Sequence, residues 1–347
     1  MKIGIIGLGR VFNHYLKNFI DKKFLEENEV IICDSDSKLL DYHKKQLLCK
    51  GELSIESLIS HKPDFVIVAS PSGLHYAHSK HCLENDINVL SEKPICMNIK
   101  EQLELTELAK NKNLKCGVIF QNRFNPAIKV LKKIVGENII GKINICSMKL
   151  HWCRDQNYYS DDWHGKWNMD GGVINQQAIH HLDILQWING PLEKVFSMEA
   201  NLINNLEAED TMMACVKYKN KSLGTIEATT AFRPRDYEAS ITISGDTGFI
   251  KIGGIALNEI IDYSFKNKDA ILENIINNSS EIVSSGYGNS HKNVIKDFMD
   301  SINKNKPFSI DISSTLNTTK LVHALYRSSE NNMLINVDNE ESLRLGK

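Results

Sequence analysis

Three absences in this 347-residue chain exclude whole classes of protein. No run of 18 apolar residues is present, so we expect no membrane-spanning helix. The 41 lysines and arginines are balanced by 43 acidic residues and form no basic stripe, so nucleic-acid binding is not expected. No two of the eight cysteines are spaced as Cys-x-x-Cys, which argues against a structural zinc site. We therefore expect a small-molecule partner.

The start of the chain also lacks the features of a secretory leader. Met1 leads directly into an apolar strand pattern, without a charged segment or a long apolar segment before a cleavage site. Several cysteines lie within apolar runs, which is typical of reduced, buried thiols. These features predict a cytoplasmic protein.

The length favours two domains, and the first 121 residues predict a doubly wound α/β domain. Short apolar runs alternate there with longer amphipathic segments, as in a parallel sheet covered on both faces by helices. Five strands are predicted, at residues 2–6, 30–33, 65–69, 88–91 and 115–120.

After residue 121 the pattern changes to one that predicts an α+β domain with a mostly antiparallel, open sheet over residues 122–347. Helices are predicted at residues 126–135, 172–187 and 289–303, and a closing helix at 313–328 is expected to pack back on the first domain. The polar segment 267–285 is interpreted as a loop or an irregular helix. Strands are predicted at residues 142–151, 195–201, 211–218, 222–230, 238–244 and 248–252.

A glycine loop follows the first predicted strand and opens a helix. Gly7 and Gly9 would let the backbone approach a pyrophosphate, and the helix N-terminus would receive the anion. Phe12 stands where the usual motif has its third glycine. The alternative is a tight strand-to-helix turn without a ligand.

An acidic residue ends the second predicted strand, 27 positions beyond Gly7. Asp34 can accept hydrogen bonds from both hydroxyls of an adenosine ribose, and its charge would repel a 2′-phosphate. NAD(H) is therefore favoured over NADP(H). Asp36 is a second candidate for this role, and a helix N-cap is the alternative role for Asp34.

Two further motifs lie at the carboxyl ends of strands, where open α/β sheets bind ligands: Ser70-Pro71 and Glu92-Lys93-Pro94. With the glycine loop, they resemble the Gfo/Idh/MocA family of oxidoreductases over essentially the whole chain. The resemblance implies that Lys93 reaches the nicotinamide ribose and the substrate hydroxyl, and that Glu92 helps to seat the cofactor. It also implies a cis peptide bond before Pro94 and an approach of His75 to the cofactor.

A second signature lies on the predicted helix 172–187. Gln176, His180 and Asp183 are spaced so that they share one side of a helix. The family has Asp-x-x-x-His here, with a carboxylate that orients the catalytic imidazole, and Gln176 replaces that Asp. Asp-Gly-Gly followed by Asn-Gln-x-x-Ile-His resembles a subgroup acting on nucleotide-activated sugars, the UDP-N-acetylglucosaminuronate 3-dehydrogenases. In that subgroup an Arg usually stands at the position of His164.

The resemblance implies two sets of ligand contacts. Arg123 is also suited to clamp a phosphate or carboxylate, and an interdomain salt bridge is its alternative role. The expected substrate contacts are Lys93, Asn122, Arg123, Asn175, Gln176 and His180. The expected cofactor contacts are Gly7, Gly9, Arg10, Val11, Phe12, Asp34, Ser70, Pro71, His75, Glu92, Lys93, Gln121, Trp163 and His164.

Together these features predict an NAD(H)-dependent oxidoreductase acting on a secondary ring alcohol or ketone of a sugar. The sugar would be nucleotide-activated, such as a UDP-N-acetylhexosaminuronate used in surface-polysaccharide or glycan biosynthesis. His180 would take the hydroxyl proton, and Lys93 would stabilise the developing alkoxide. An NAD-retaining glycosidase and a non-catalytic NAD-sensing protein are the alternatives.

Two expectations concern metals and assembly. His75, His78 and His81 recur every three residues, but a helix would spread them over a wide arc, so no metal site is expected. His181 is interpreted as structural. In the family the antiparallel sheet commonly forms a subunit interface, which implies a homo-oligomer, either a dimer or a tetramer.

Overall fold

The chain divides into two folded units. The computed structural model describes residues 1–267 and 270–347. The first unit comprises residues 1–120 and 291–316, and the second comprises residues 121–290 and 317–347.

Six parallel strands form the sheet of the first unit, in the order β3-β2-β1-β4-β5-β6. This is the strand order of dinucleotide-binding Rossmann domains, and it confirms the predicted fold class. The third strand was not predicted, because three residues of mixed polarity carry no periodic signal. The strands are β1 (Lys2–Ile6), β2 (Glu29–Cys33), β3 (Lys50–Glu52), β4 (Phe65–Val68), β5 (Asn88–Ser91) and β6 (Cys116–Val118).

Helices connect these strands and cover the sheet. Every residue of the fourth strand is buried, as expected of a parallel strand between two helical layers. The helices are α1 (Arg10–Asn18), α2 (Lys22–Glu27), α3 (Ser37–Leu47), α4 (Ile55–Ser60), α5 (His75–Glu84) and α6 (Ile99–Asn111).

An eight-stranded open sheet forms the second unit, in the order β13-β12-β11-β7-β10-β9-β8-β14. All of its pairs are antiparallel except β7 with β10, which confirms the predicted mostly antiparallel sheet. The strands are β7 (Ile143–His151), β8 (Leu192–Ala200), β9 (Thr211–Tyr218), β10 (Leu223–Thr229), β11 (Glu238–Gly245), β12 (Gly248–Gly253), β13 (Glu259–Phe265) and β14 (Ile335–Asn336). The helices are α7 (Pro126–Gly136), α8 (Val173–Gln176), α9 (Ile179–Asn189), α10 (Ala270–Asn277), α11 (His291–Asn303) and α12 (Leu316–Asn331), of which α11 belongs to the first unit.

The second sheet buries one face and exposes the other. In β9, Met212, Ala214 and Val216 are buried, whereas the alternate residues Met213 and Cys215 are exposed. This is the alternation of a sheet with a single covered face. Apolar side chains therefore lie on its open face.

The second unit begins at residue 121, next to the expected start at residue 122, but one later segment belongs to the first unit. Residues 291–316 belong to the first unit because α11 packs an apolar stripe on it, with the Phe298 ring centroid 5.3 Å from that of Phe65. Most of the closing helix lies in the second unit, where Ser328 Oγ accepts a hydrogen bond from Ser197 N at 3.0 Å. The expected packing of this helix on the first domain therefore applies only to residues up to 316.

The polar segment 267–285 is partly helical. Residues 270–277 form α10, while Lys268 and Asp269 lie outside the described residues. No helix within 1–267 or 270–347 combines the length and the apolar character that crossing a membrane requires.

We expect Gly7→Ala to destabilise the first unit and Gly9→Ala to leave its stability unchanged. Gly7 has φ +92°, and a Cβ there would lie 2.5 Å from the Ala69 carbonyl oxygen. Strain and overlap should together cost about 2 kcal/mol or more of unfolding free energy. Gly9 has φ −76° and open space around its Cα, so its variant should stay within about 0.5 kcal/mol of the wild type. Denaturant unfolding measures the unfolding free energy of both variants. Equal stability of the two would contradict the steric requirement for glycine at position 7.

Candidate functional site

The glycine loop is fixed to the end of β2. Gly7 N donates to the Cys33 carbonyl at 2.9 Å, and Leu8 N donates to Asp34 Oδ2 at 2.9 Å. Asp34 Oδ1 accepts from Asp36 N at 2.9 Å. Each of these carboxylate oxygens keeps acceptor capacity for a ribose hydroxyl. The N-cap role belongs to Asp36, whose Oδ1 accepts from the backbone amides of Lys38 and Leu39 in the first turn of α3.

Phe12 does not obstruct this loop. Its side chain is fully buried, with its ring centroid 5.0 Å from that of His43 on α3. The ring therefore fills the space between α1 and α3. With a glycine at this position the two helices could pack more closely. The predicted contribution of Phe12 to cofactor binding is limited to its backbone, whereas Arg10 is exposed at the start of α1.

His75 connects the two motifs at the carboxyl edge of the first sheet. Its Nδ1 lies 2.7 Å from the Pro94 carbonyl oxygen and its Nε2 lies 2.6 Å from that of Ser70. Burial lowers the pKa of His75 to about 4, so the ring is neutral at pH 7 and donates to only one of them. The resemblance places this residue beside the cofactor. Its ring also positions the turns that follow β4 and β5, and its approach to the cofactor stays a prediction.

The other two histidines of the three-residue repeat have different partners. His78 Nδ1 lies 2.9 Å from Ser70 Oγ, and His81 Nε2 lies 3.8 Å from Glu56 Oε1. In the part of the chain that the structure describes, no three His, Cys, Asp or Glu side chains are grouped as metal ligands.

Glu92 lies at the centre of a buried polar cluster. Tyr15 on α1 donates its hydroxyl proton to Glu92 Oε1, and His291 Nε2 lies 3.8 Å from the same oxygen. The His291 ring centroid is 4.7 Å from that of His14. Burial raises the pKa of Glu92 and lowers that of His291 well below its ordinary value, so burial favours the neutral form of both.

Lys93 follows this cluster directly. Its backbone N donates to Glu92 Oε2 at 3.3 Å, and the Lys93–Pro94 peptide bond is cis, which confirms the expectation from the resemblance. The side chain is half-buried, and its charge lowers the pKa of both Glu92 and His291. Lys93 is therefore electrostatically coupled to the buried cluster. Tyr15 was not predicted as a site residue, because it belongs to no motif. Only its place on the buried face of α1 distinguishes it.

The predicted helix 172–187 is interrupted. Ala178 N donates to the Val173 carbonyl five residues before it, and α8 and α9 are separated at residues 177–178. Gln176, His180 and Asp183 therefore do not share one regular helical side, contrary to the expected spacing. His180 is half-buried, whereas every other residue from 171 to 186 is buried.

Asp183 and Arg123 form a buried bidentate ion pair. The Nε–Oδ2 and Nη2–Oδ1 distances are 2.7 and 2.6 Å, and Thr318 Oγ1 donates to Oδ1 at 3.1 Å. The two side chains are 5% and 1% exposed. The pair lies within the second unit and is therefore not the interdomain salt bridge considered above. Because Asp183 occupies the side-on edge of the guanidinium, a clamp on a ligand anion through that edge is not open to Arg123.

The Asp-Gly-Gly motif packs against a second buried carboxyl group. Glu209 Oε1 accepts from Ile174 N and from Tyr326 Oη, both at 3.0 Å. A Cβ on Gly172 would lie 2.0 Å from Glu209 Oε2, so glycine is required there. Burial raises the pKa of Glu209 to about 8, with the Glu199 charge adding to the shift. Glu209 and Tyr326 lie outside the recognised motifs, and sequence analysis missed both.

The amide side chains expected to contact ligands fall into two groups. Asn175 Nδ2 donates to the Asp170 carbonyl at 2.8 Å and so stabilises the turn before α8. Gln121 and Asn122 are buried, and their amide oxygens have no hydrogen-bond partner within residues 1–267 and 270–347. Buried acceptors of this kind are suited to a ligand donor.

His164 forms a carboxylate–imidazole pair with Asp161. Its Nδ1 lies 2.6 Å from Asp161 Oδ2, and its ring centroid lies 3.6 Å from that of Trp163 and 4.5 Å from that of Tyr158. Burial alone would raise the pKa of Asp161, but hydrogen bonds from the His164 backbone and ring bring it below its ordinary value. The residue that replaces the subgroup's Arg therefore has its own anionic partner.

Models of two domain families match the chain. The oxidoreductase family, NAD-binding Rossmann fold, matches residues 1–120, and the oxidoreductase family, C-terminal alpha/beta domain, matches residues 132–337. The chain belongs to the Gfo/Idh/MocA oxidoreductase family. Its first unit is an NAD-binding Rossmann domain, and NAD(H) is the cofactor. The glycine at position 7 and the open space at Gly9 fit the approach of a dinucleotide.

Solved structures of two dehydrogenases resemble the whole chain. The WlbA dehydrogenase of Chromobacterium violaceum, in complex with NADH and UDP-GlcNAcA, is 28% identical with a TM-score of 0.90, over 98% of this chain and 96% of that one. The WlbA dehydrogenase of Bordetella pertussis, in complex with the same two molecules, is 26% identical with a TM-score of 0.89, over 98% of both chains.

A curated relative catalyses a differently named reaction. The 2,7-anhydro-N-acetylneuraminate hydratase of Escherichia coli is 28% identical over 262 residues, which cover 72% of this chain and 66% of that protein. The chain thus spans slightly less than two thirds of the length of this relative.

We expect Tyr15→Phe to lower stability, and to do so more at pH 8 than at pH 5. The Tyr15 hydroxyl lowers the pKa of Glu92, so its loss further disfavours the ionised carboxylate, the form that rising pH populates. The cost should be about 1–3 kcal/mol at the higher pH. Thermal unfolding at the two pH values measures it.

Tyr76→Phe provides the matched control, because the Tyr76 hydroxyl donates to the exposed Glu104 at 2.6 Å in the same unit. Its effect should stay within about 0.5 kcal/mol at both pH values. A Tyr15→Phe effect equal to that of the control would show that the hydroxyl does not stabilise Glu92.

Proposed function

We propose that this chain is an NAD(H)-dependent dehydrogenase acting on a secondary ring alcohol or ketone of a nucleotide-activated sugar. The observation that carries the proposal is the likeness, over 98% of the chain, to two dehydrogenases solved with NADH and UDP-GlcNAcA. A UDP-N-acetylhexosaminuronate is therefore the proposed substrate, in the synthesis of surface polysaccharide or another glycan.

Oxidation of the alcohol requires a base for the hydroxyl proton and a cation for the developing alkoxide, and residues of this chain supply both. NAD⁺, when bound, accepts the hydride from the carbinol carbon. His180 takes the hydroxyl proton, a role supported by its partial exposure in an otherwise buried segment. The cationic side chain of Lys93, coupled to the buried Glu92 cluster, stabilises the developing alkoxide. Gln121 and Asn122 offer buried acceptors to cofactor and substrate donors.

A second candidate is a reaction without net oxidation, in which a sugar is oxidised transiently and NADH is reoxidised in place. The likeness to a hydratase favours this candidate over a non-catalytic NAD sensor. An NAD-retaining glycosidase of the same fold belongs to this class. These reactions convert the sugar while no NADH accumulates.

Absorbance at 340 nm during incubation with NAD⁺ and a panel of UDP-sugars and UDP-sugar acids tests the proposal. We expect NADH formation with a UDP-sugar acid and less with its neutral counterpart. Analysis of the same mixtures by mass spectrometry separates the two candidates, because a redox-neutral reaction changes the sugar without a 340 nm signal. A panel in which no sugar is converted would contradict both.

Replacement of either Lys93 or His180 by Ala should lower turnover by roughly 100-fold or more, since general acid–base and electrostatic contributions are of this size. NAD binding should remain close to that of the wild type. Lys110→Ala on α6 and His81→Ala on α5 are matched controls and should retain turnover within about twofold. Near-normal turnover of both test variants would remove these roles.

We also propose that two or more copies associate through the open face of the second sheet. Phe196, Met198, Met213 and Leu223 are exposed there, with Met198 at 68% exposure. Apolar side chains clustered on an exposed face favour association with a like surface. We expect Met198→Lys to shift sedimentation toward the 39.3 kDa monomer, whereas an unchanged mass would exclude this face.

A further inference from the structure

A partly exposed arginine lies over two aromatic rings in the second unit. Arg154 follows β7, and its guanidinium carbon is 4.8 Å from the Trp152 ring centroid and 5.7 Å from that of Tyr158. Its side chain is 22% exposed. Ring faces attract a guanidinium and restrict its orientation. These ring contacts therefore restrict the position of the cation.

One edge of this guanidinium has protein partners. Nη1 donates to the Cys153 carbonyl at 2.7 Å and to Asp236 Oδ1 at 3.0 Å. For Nε and Nη2 no hydrogen-bond partner is found among residues 1–267 and 270–347. These two atoms form the side-on edge that binds a carboxylate or phosphate in a bidentate manner. Asp236 thus orients the Arg154 guanidinium, and Nε and Nη2 remain as a pair of donors.

The backbone around Arg154 is also fixed. Arg154 N donates to the Thr230 carbonyl at 2.9 Å, and the Arg154 carbonyl accepts from Arg233 Nη2 at 2.8 Å. Arg233 further donates to the Thr230 and Phe232 carbonyls, so its own guanidinium supports the loop. Arg233 is a structural residue, and Arg154 presents the donor edge.

The two aromatic rings connect Arg154 to the predicted ligand-binding residues of this unit. Tyr158 Oη accepts from Gln177 Nε2 at 3.3 Å, and the Tyr158 ring centroid lies 4.5 Å from that of His164. The Trp152 ring centroid lies 6.3 Å from that of His181, the neighbour of His180. The segment that carries His180 and the Trp163–His164 pair therefore each contact one of the two rings near this guanidinium.

We propose that Arg154 binds an anionic group of the substrate, the sugar carboxylate or the diphosphate, through Nε and Nη2. The inference rests on the proposed function, because it takes the substrate to be a nucleotide-activated sugar acid. It assigns to Arg154 the anion recognition that sequence analysis gave to Arg123, whose side-on edge is occupied by Asp183.

Calorimetric titration of the full chain, saturated with NADH, with UDP, UDP-GlcNAc and UDP-GlcNAcA tests the inference. We expect Arg154→Gln to weaken binding of UDP-GlcNAcA by at least about tenfold, and Arg154→Lys to have a smaller effect, because Lys keeps the charge and loses the planar donor pair. If the carboxylate is the bound group, only UDP-GlcNAcA is affected. If the diphosphate is the bound group, all three ligands are affected alike.

Arg235→Gln is the matched control. Arg235 is exposed and lies next to Asp236 in the same loop, and its replacement should leave all three affinities unchanged. Affinities of Arg154→Gln within about twofold of the wild type for every ligand would overturn the inference, as would a wild-type chain that binds none of them. Tight binding of UDP-GlcNAcA without conversion would contradict the proposed reaction and leave the result for Arg154 standing.

Discussion

The close approach of two backbone turns at the carboxyl edge of the parallel sheet is the constraint on which the cofactor site depends. Gly7 lies against the Ala69 carbonyl with no room for a Cβ, so the turns after β1 and β4 can meet. Asp34 connects the first turn to β2, and His75 connects the second to the turn after β5. Three turns at adjacent strand ends are thereby fixed relative to one another.

Burial affects the acidic side chains of both units, each considered by itself. Each buried carboxyl group near a predicted functional residue has a neutral or cationic donor: Glu92 has Tyr15, Glu209 has Tyr326, and Asp183 has Arg123. A phenol donor cannot neutralise a carboxylate, so desolvation raises the pKa of Glu92 and of Glu209. The bidentate guanidinium supplies the full opposite charge. Burial thus favours the neutral form of the two acids whose side-chain donor is a phenol.

The sequence predicted the elements whose signal is local and missed those whose signal is not. The first strand was predicted to the residue, because its apolar run is bounded by a glycine turn. The strands β3 and β14 were missed, since two or three residues show no periodicity. The strand β13 was also missed, because most of it is exposed and a bulge at Ile261 interrupts the apolar alternation. The break between α8 and α9 was also missed, because every residue there is compatible with a helix and the Ala178 N to Val173 carbonyl bond that marks it leaves no pattern in the sequence.

The same distinction applies to the site. Lys93 and His180 are predicted from their motifs, whereas Tyr15, Glu209 and Arg154 are distinguished by hydrogen-bond partners 77, 35 and 82 positions away in the chain. For Arg123 the residue type alone predicted an anion clamp. In the folded chain its side-on edge instead binds Asp183, which lies 60 positions away. Gln176 stands where the family has a carboxylate, and the acidic side chains Asp161, Asp183 and Glu209 of the same unit each have a partner of their own. The replacement of the family's Asp by Gln176 must therefore be interpreted together with the hydrogen-bond partners of the acidic residues in the same unit.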